Sequence, residues 1–376
     1  MSVLVKIFDS FHSMDHFHRM VKVVDPVKLE RDAAQQLAAL IATAPNAKVG
    51  ETQFHVQRQG REIDFVIEAL INNRRSRLVC EVKSDGRGQA ARKAIDQLET
   101  VMGSAEAGDV PVFIAPYITE DVRELCRSWD INYFDLSGNC RLYLDGLFIE
   151  KSSGQKPPAE RRELRSLFKP KSARVLRRLM RHPGRAMRLR DIAELTDVSI
   201  GQVFKVKEAL LAHGWLDDDS NGVFLTRPGA LLEAWRDEYE TPEGEKAQLY
   251  TPLTGAALEE AIRVALRSEQ HPVQAILAGF SAADWLAPYV RSNTLQIYAS
   301  TIGADYVIDA LKATPSPKGA NLVITTLVDE GPLLDPHSPA LGIVTTSPVQ
   351  TYLDLYASGD RGIEAAEHLR QERLQW

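Results

Sequence analysis

Cysteine is scarce in this chain: there are three in 376 residues (Cys80, Cys126 and Cys140), none in a Cys-x-x-Cys pair. That argues against a disulfide framework and against a structural zinc site. Cys80, inside an apolar run, reads as a small core residue. Long hydrophobic runs are also missing, and no apolar stretch approaches the length needed to cross a bilayer, so no membrane contact is expected. The segment Met1-Ser-Val-Leu-Val-Lys6 lacks the basic region, apolar stretch and small-residue cleavage site of a signal peptide. A reducing cytoplasm is the expected location. With 44% hydrophobic and 26% charged residues and no low-complexity block, the composition is that of a globular protein long enough for two or three domains.

What is present begins with Asp64, followed seventeen residues later by Glu81-Val82-Lys83. The acid lies in Arg61-Glu-Ile-Asp-Phe-Val-Ile-Glu-Ala-Leu70 and the pair in Arg77-Leu-Val-Cys-Glu-Val-Lys-Ser84. Aliphatic and β-branched residues crowd both segments, so both read as strands. Side chains alternate along a strand, so Glu81 and Lys83 share one face, and Asp64 on a neighbouring strand can add a second carboxylate. Two carboxylates can hold a divalent cation, and an ammonium beside them can support a metal-bound nucleophile or a phosphate. A chain this rich in charge also contains chance Glu-x-Lys pairs on solvated faces, so the flanking elements matter.

Those elements are a helix over residues 25–41, a helix over residues 90–102 carrying Ala94-Ile-Asp-Gln-Leu98, a strand over residues 110–115 and a helix near residues 120–129. The order resembles the restriction-endonuclease-like α/β/α fold with its Asp…Glu-x-Lys signature over about residues 25–151. The resemblance implies Asp64 and Glu81 as ligands of Mg²⁺, Lys83 as the phosphate- or water-facing cation, Gln97 as an accessory catalytic residue and Glu30 as an additional acid.

The net charge of −6 hides an asymmetry: residues 151–190 hold fourteen Lys or Arg against Glu160 and Glu163, a local +12 that leaves the rest at −18. Concentrated positive charge suits phosphates, although a solvated linker between acidic domains has the same composition. The next segment favours double-stranded DNA. Helices are expected over residues 172–182 and 189–195, then a turn at Thr196-Asp197-Val198, then a helix over residues 200–211 capped by Ser199. Val203, Val206 and Leu210 form its buried stripe. Ser199, Gln202, Lys205 and Lys207 fall outside the stripe, and with upstream Arg188 and Arg190 they are the candidate DNA contacts. Asn221-Gly222 marks a hairpin with an acidic tip. The pattern resembles the winged helix-turn-helix family over residues 165–240, with a three-helix protein-interaction module as the alternative.

Glu240-Thr-Pro-Glu-Gly-Glu-Lys246 reads as a linker to a mixed α/β C-terminal domain over residues 247–376. Gly279-Phe-Ser-Ala-Ala283, and Pro348-Val-Gln-Thr-Tyr-Leu-Asp-Leu355 with Arg361-Gly-Ile-Glu-Ala-Ala-Glu-His-Leu369, are similar to AbiEi-like proteins. These are transcriptional regulators that serve as antitoxins in type IV toxin–antitoxin systems. The resemblance implies autoregulation and neutralisation of a nucleotidyltransferase toxin without direct toxin binding. Minor signals are His12, His16 and His18, of which the first two can share a helix face, and Met14 and Met20 as later start sites. The Leu136-Ser-Gly-Asn-Cys140 turn offers Gly138 and Asn139 as residues that tolerate a left-handed backbone.

The leading expectation is therefore a homodimeric DNA-binding regulator of the AbiEi type. A metal-dependent DNA endonuclease targeted by the winged helix is the alternative. An interaction protein that touches nucleic acid only incidentally is the third reading.

Overall fold

Asp25 and Pro26 open the first helix, α1 (Pro26–Ala42). The Asp25 carboxylate accepts from the Val27 N–H at 3.2 Å, and proline at the first position leaves no N–H unpaired. The computed structural model describes residues 25–376 apart from residues 59, 104, 155 and 267–273. The histidine cluster and the two alternative start methionines lie outside the described residues. The chain divides into two units, one ending at Lys156 and the other spanning Pro157–Trp376.

In the first unit Leu29, Ala33, Leu37 and Ile41 recur every four residues and bury one stripe of α1. They pack on a seven-stranded sheet whose strands lie in chain order: β1 (Ala47–Arg58), β2 (Arg61–Ile71), β3 (Arg74–Val82), β4 (Asp109–Ala115), β5 (Asn132–Asp135), β6 (Cys140–Leu144) and β7 (Leu147–Lys151). β3, β4 and β5 run parallel, joined by the crossover helices α2 (Gly88–Met102) and α3 (Glu120–Ser128); the remaining pairs are antiparallel. Phe65, Ile67 and Cys80 face α1, while Val66, Val79 and Phe113 pack with α2 and α3. The result is the expected α/β/α layering, with Cys80 fully buried in the core.

The turn after β5 is organised by the buried Asp135 carboxylate. It accepts from the backbone N–H groups of Ile118 (3.1 Å), Ser137 (2.9 Å) and Asn139 (2.9 Å). Gly138 takes the left-handed conformation at φ 98°. Asn139 does not; its side chain instead accepts from the Ser153 N–H at 2.8 Å.

The second unit opens with α4 (Pro158–Leu167) and α5 (Pro170–Met180). α6 (Leu189–Thr196), α7 (Ile200–His213), a hairpin of β8 (Leu216–Asp219) and β9 (Gly222–Leu225), and α8 (Pro228–Asp237) follow. Asp197, at φ 51°, turns the chain between α6 and α7, and Ser199 Oγ accepts from the Gln202 N–H at 3.4 Å to cap α7. At the hairpin, Asp219 accepts from the N–H groups of Asn221 (2.7 Å) and Gly222 (3.1 Å). Gly222 has φ 140°, and a Cβ there would stand 2.2 Å from the Met187 carbonyl, which bridges to Val223; only glycine fits.

The chain continues through β10 (Gly244–Tyr250), α9 (Gly255–Leu266), β11 (Ala275–Leu277), α10 (Gly279–Leu286), β12 (Leu295–Ala299), α11 (Thr301–Ala310), β13 (Thr314–Pro315) and β14 (Leu322–Leu327). A 3₁₀ turn (Gly331–Leu334), β15 (His337–Ala340), β16 (Ile343–Thr345), α12 (Pro348–Tyr356) and α13 (Asp360–Arg373) complete it. These strands form a second seven-stranded sheet in the order β13-β10-β14-β12-β11-β16-β15. The expected linker over residues 240–246 thus ends inside β10, which pairs with β13 and β14. One apolar core runs from Leu164 on α4 to Leu374 after α13, so the three-helix segment and the second sheet fold as a single unit.

A row of arginines on α5 fastens that unit. Arg174 grips the Asp329 carboxylate with two bonds of 3.1 and 2.9 Å. Arg181 donates to Asp335 at 2.8 Å and to the Pro336 carbonyl at 3.0 Å. Between them Arg177 is buried and donates to Gln350 Oε1 at 2.9 Å. Gln350 in turn donates to Tyr239 (2.7 Å) and to Asp354 (3.0 Å). Burial pushes the Asp354 carboxyl up to about 6, although hydrogen bonds from Tyr239, Tyr298 and Gln350 pull it down.

An acid raised in this way favours the fold while protonated and loses that contribution as pH rises through about 6. Asp354→Asn, which copies the neutral form, is expected to be more stable than the wild type above pH 7 by about 2–3 kcal/mol, and equal to it near pH 4. Chemical denaturation of both proteins across that range checks this. A stability difference that does not change with pH contradicts it.

Candidate functional site

The β2–β3 register pairs Phe65 with Cys80 and Val66 with Val79, which brings Asp64 and Glu81 together on neighbouring strands. One Asp64 carboxylate oxygen accepts from the Val82 N–H at 2.6 Å. Glu81 is 2% exposed, and Lys83 Nζ pairs with its Oε1 at 2.5 Å. The Lys83 N–H donates to the Ile114 carbonyl at 2.9 Å, anchoring the residue beside β4. Asp64, Glu81 and Lys83 therefore assemble on the sheet. Gln97 is half-buried on α2 and makes no hydrogen bond to any of them among the described residues.

Two further groups complete the cluster. Glu30 on α1 is buried, and its carboxylate lies 3.7 Å from His55 Nε2. His55 Nδ1 is 3.1 Å from Glu62 Oε1. Because Phe54 pairs with Phe65 and Val56 with Ile63, His55 stands across from Asp64. It does so at φ 53°, a conformation rarely held by a non-glycine residue and typical of constrained sites. Glu30 was anticipated as an extra acid; His55 and Glu62 were not, because only the hairpin register reveals their position.

Burial raises the carboxyls of Glu30, Asp64 and Glu81 above the ordinary carboxylate range. Mutual repulsion adds to this: Asp64 acts on Glu30, and both Asp64 and Glu30 act on Glu81, while Lys83 opposes the rise in all three. Glu81 Oε2 and Glu30 Oε2 are buried and accept no hydrogen bond. An excess of buried negative charge with unused oxygens suits a hard divalent cation. Among the described residues, no three His, Cys, Asp or Glu side chains converge as a ready cage. Asp64 and Glu81 offer two carboxylates, a number compatible with Mg²⁺, which keeps several of its own waters.

The candidate DNA contacts divide. Arg188 and Arg190 are exposed at the start of α6, with Arg185 just before them, and none of the three forms an ion pair among the described residues. Ser199 and Lys205 are exposed on α7. Gln202 is instead turned inward, donating to Ser172 Oγ at 3.0 Å, and Lys207 is tied to Asp218 of the hairpin at 2.7 Å. Much of the +12 segment is likewise engaged within the unit: Arg165 bonds Glu238 at 3.0 Å, beside the α5 pairs with Asp329 and Asp335.

Together these features define a two-unit α/β protein. It carries a carboxylate–lysine cluster on the first sheet and a three-helix-and-hairpin segment with exposed arginines fused to the second. Residues 224–375, under half of the chain, match the family model described as "Transcriptional regulator, AbiEi antitoxin, Type IV TA system". Two solved structures show weak likeness. The apo form of EndoMS is 16% identical at a TM-score of 0.22, covering 28% of this chain and 45% of that one. A repair endonuclease from Pyrococcus abyssi is 14% identical at a TM-score of 0.21, covering 27% and 46%. This chain thus spans less than half the length of either. No curated protein matches it. No helix among the described residues is long and apolar enough to cross a membrane.

The raised acids weaken the fold once they ionise, so Asp64→Asn is expected to raise the melting temperature at pH 7.5 and to lose that gain near pH 4. Millimolar Mg²⁺ should raise the wild-type melting temperature and leave that of the variant unchanged. Equal Mg²⁺ shifts in both proteins would remove Asp64 from the donor set.

Proposed function

We propose that the chain is a DNA-binding transcriptional regulator of the AbiEi type, which acts as the antitoxin of a type IV system by controlling its own operon. The match of residues 224–375 to that antitoxin family carries the reading. The helix, turn, helix and hairpin of α6, α7, β8 and β9 support it, read as a winged helix-turn-helix whose third helix enters the major groove. In this reading Ser199 and Lys205 approach the bases or phosphates, and Arg185, Arg188 and Arg190 grip the flanking backbone. Gln202 and Lys207 hold the module together. A homodimer would present two such helices to a palindromic operator. The relation to a nucleotidyltransferase toxin is functional, without contact between the two proteins.

The purified chain should bind DNA from upstream of its own gene, with affinity falling steeply as salt rises. Replacing both Arg188 and Arg190 with Ala should lower the slope of log K against log[salt] by about two, as expected when two phosphate contacts are lost. Fluorescence anisotropy across a salt series measures both. An unchanged slope would take these arginines out of the interface.

The buried oxygens of Glu81 and Glu30 that accept no hydrogen bond favour a second activity, metal-dependent cleavage of DNA. Asp64 and Glu81 would hold Mg²⁺, which when bound supplies Lewis-acid activation at the phosphate. Lys83, half-exposed beside Glu81, stabilises charge developing on the phosphoryl oxygens. With Mg²⁺ or Mn²⁺ the protein should nick supercoiled plasmid, and Asp64→Ala should reduce the rate at least a hundredfold, an order expected for loss of a metal ligand. Equal residual nicking by both proteins would assign the activity to a contaminant.

A further inference from the structure

Arg177 is a buried cation that no carboxylate touches: Asp335, Asp329 and Asp354 act on it only through space. It is 5% exposed, and its one hydrogen-bonded partner among the described residues is the neutral amide of Gln350. Its Nε is buried and donates to nothing. Arg174 on the same helix and Arg181 just after it each hold a carboxylate within 3 Å, whereas Arg177 holds none; the Nε of the less buried Arg178 also lacks a hydrogen-bond partner. Breaking or omitting one half of a buried ion pair costs several kcal/mol, because the remaining charge has lost its water.

Arg177 lines a cavity of about 420 Å³. Its walls come from α4, α5 and α8 on one side, and from the end of β14, the 3₁₀ turn and α12 on the other. Phe168, half-buried, forms an aromatic wall backed by the buried Trp235, with ring centroids 5.8 Å apart and planes 5° from parallel, and Val328, 73% exposed, stands at the rim. A concave space of this size is what a small organic ligand occupies, and its lining joins apolar walls to charged groups.

The lining also limits the charge of that ligand. Arg165, Lys169 and Arg177 are its cations. They are outnumbered by Glu238, Glu240, Glu243 and Asp329, so a dianionic phosphate would meet a net negative surround. A single carboxylate carries half the charge and meets correspondingly less repulsion, and the planar fork of Arg matches its geometry. We propose that this cavity binds a small monoanionic aromatic carboxylate, its carboxylate paired with Arg177 and its ring against Phe168.

The test titrates full-length protein with 2-naphthoate and benzoate, following ligand saturation-transfer signals and melting temperature. The matched neutral amide 2-naphthamide and inorganic phosphate serve as controls. The aromatic carboxylates should saturate, with a dissociation constant at least tenfold below that of the amide, and phosphate should leave both readouts unchanged. Arg177→Met, which replaces a buried charge that no carboxylate touches with an apolar side chain of similar length, should keep the fold and abolish carboxylate binding. Val328→Trp, which fills the mouth from an exposed position, should block binding without touching Arg177. The proposal is overturned if the amide binds as well as the acid, if phosphate competes, if Val328→Trp leaves binding intact, or if no carboxylate saturates below about 10 mM. These readouts need no DNA, so a failure here is separate from a failure of the regulatory reading.

Discussion

The second unit depends on the arginine row of α5. Arg174, Arg177 and Arg181, at spacing i, i+3 and i+7, reach Asp329, Gln350 and Asp335, which lie over 150 residues later in the chain. The contribution of such pairs depends on burial: exposed pairs add little, whereas a guanidinium closed off from water must be partnered or it destabilises the fold. These bonds, with the apolar core from Leu164 to Leu374, join the helix-and-hairpin segment to the second sheet. The segment is not a DNA-binding head on a tether. Gln350 of α12 bonds Arg177 of α5, and α5 packs against α6 and α7.

That constraint also explains what the sequence disclosed and what it concealed. Elements set by local rules were legible: the Asp25-Pro26 start of α1, the Ser199 cap of α7, the Asn221-Gly222 hairpin, and strands β2 and β3 with Asp64 and Glu81 on them and Lys83 just past the end of β3. Each depends on residues only a few positions apart. The meaning of the +12 segment was not legible, because a count of charges does not show which are answered by Asp329 or Asp335 far along the chain. Glu240-Thr-Pro-Glu-Gly-Glu-Lys246 has a linker's composition, yet its last residues join β10, since pairing with β14 decides that strand and local propensity does not. Gln202 fell outside the apolar stripe of α7 as expected, but a neighbouring hydroxyl on Ser172 draws it inward.

The carboxylate cluster of the first unit presents a different balance. Burial raises the carboxyls of Glu30, Asp64 and Glu81, and Asp64 adds to the rise in the other two; the Val82 N–H on Asp64, Lys83 and His55 oppose it. A fold that keeps such a cluster gives up stability at that point. The antitoxin family match begins at residue 224 and does not reach this cluster. The regulatory and cleavage readings therefore rest on separate parts of the chain, and each stands or falls by its own experiment.

Footprinting of the full-length chain across the DNA upstream of its own gene gives the sharpest decision on the regulatory account. The expected result is two protected segments whose centres lie about one or two helical turns apart, lost when Arg188 and Arg190 are replaced together and kept when Asp64 is replaced. No protection at low salt, or protection indifferent to Arg188 and Arg190, would contradict it.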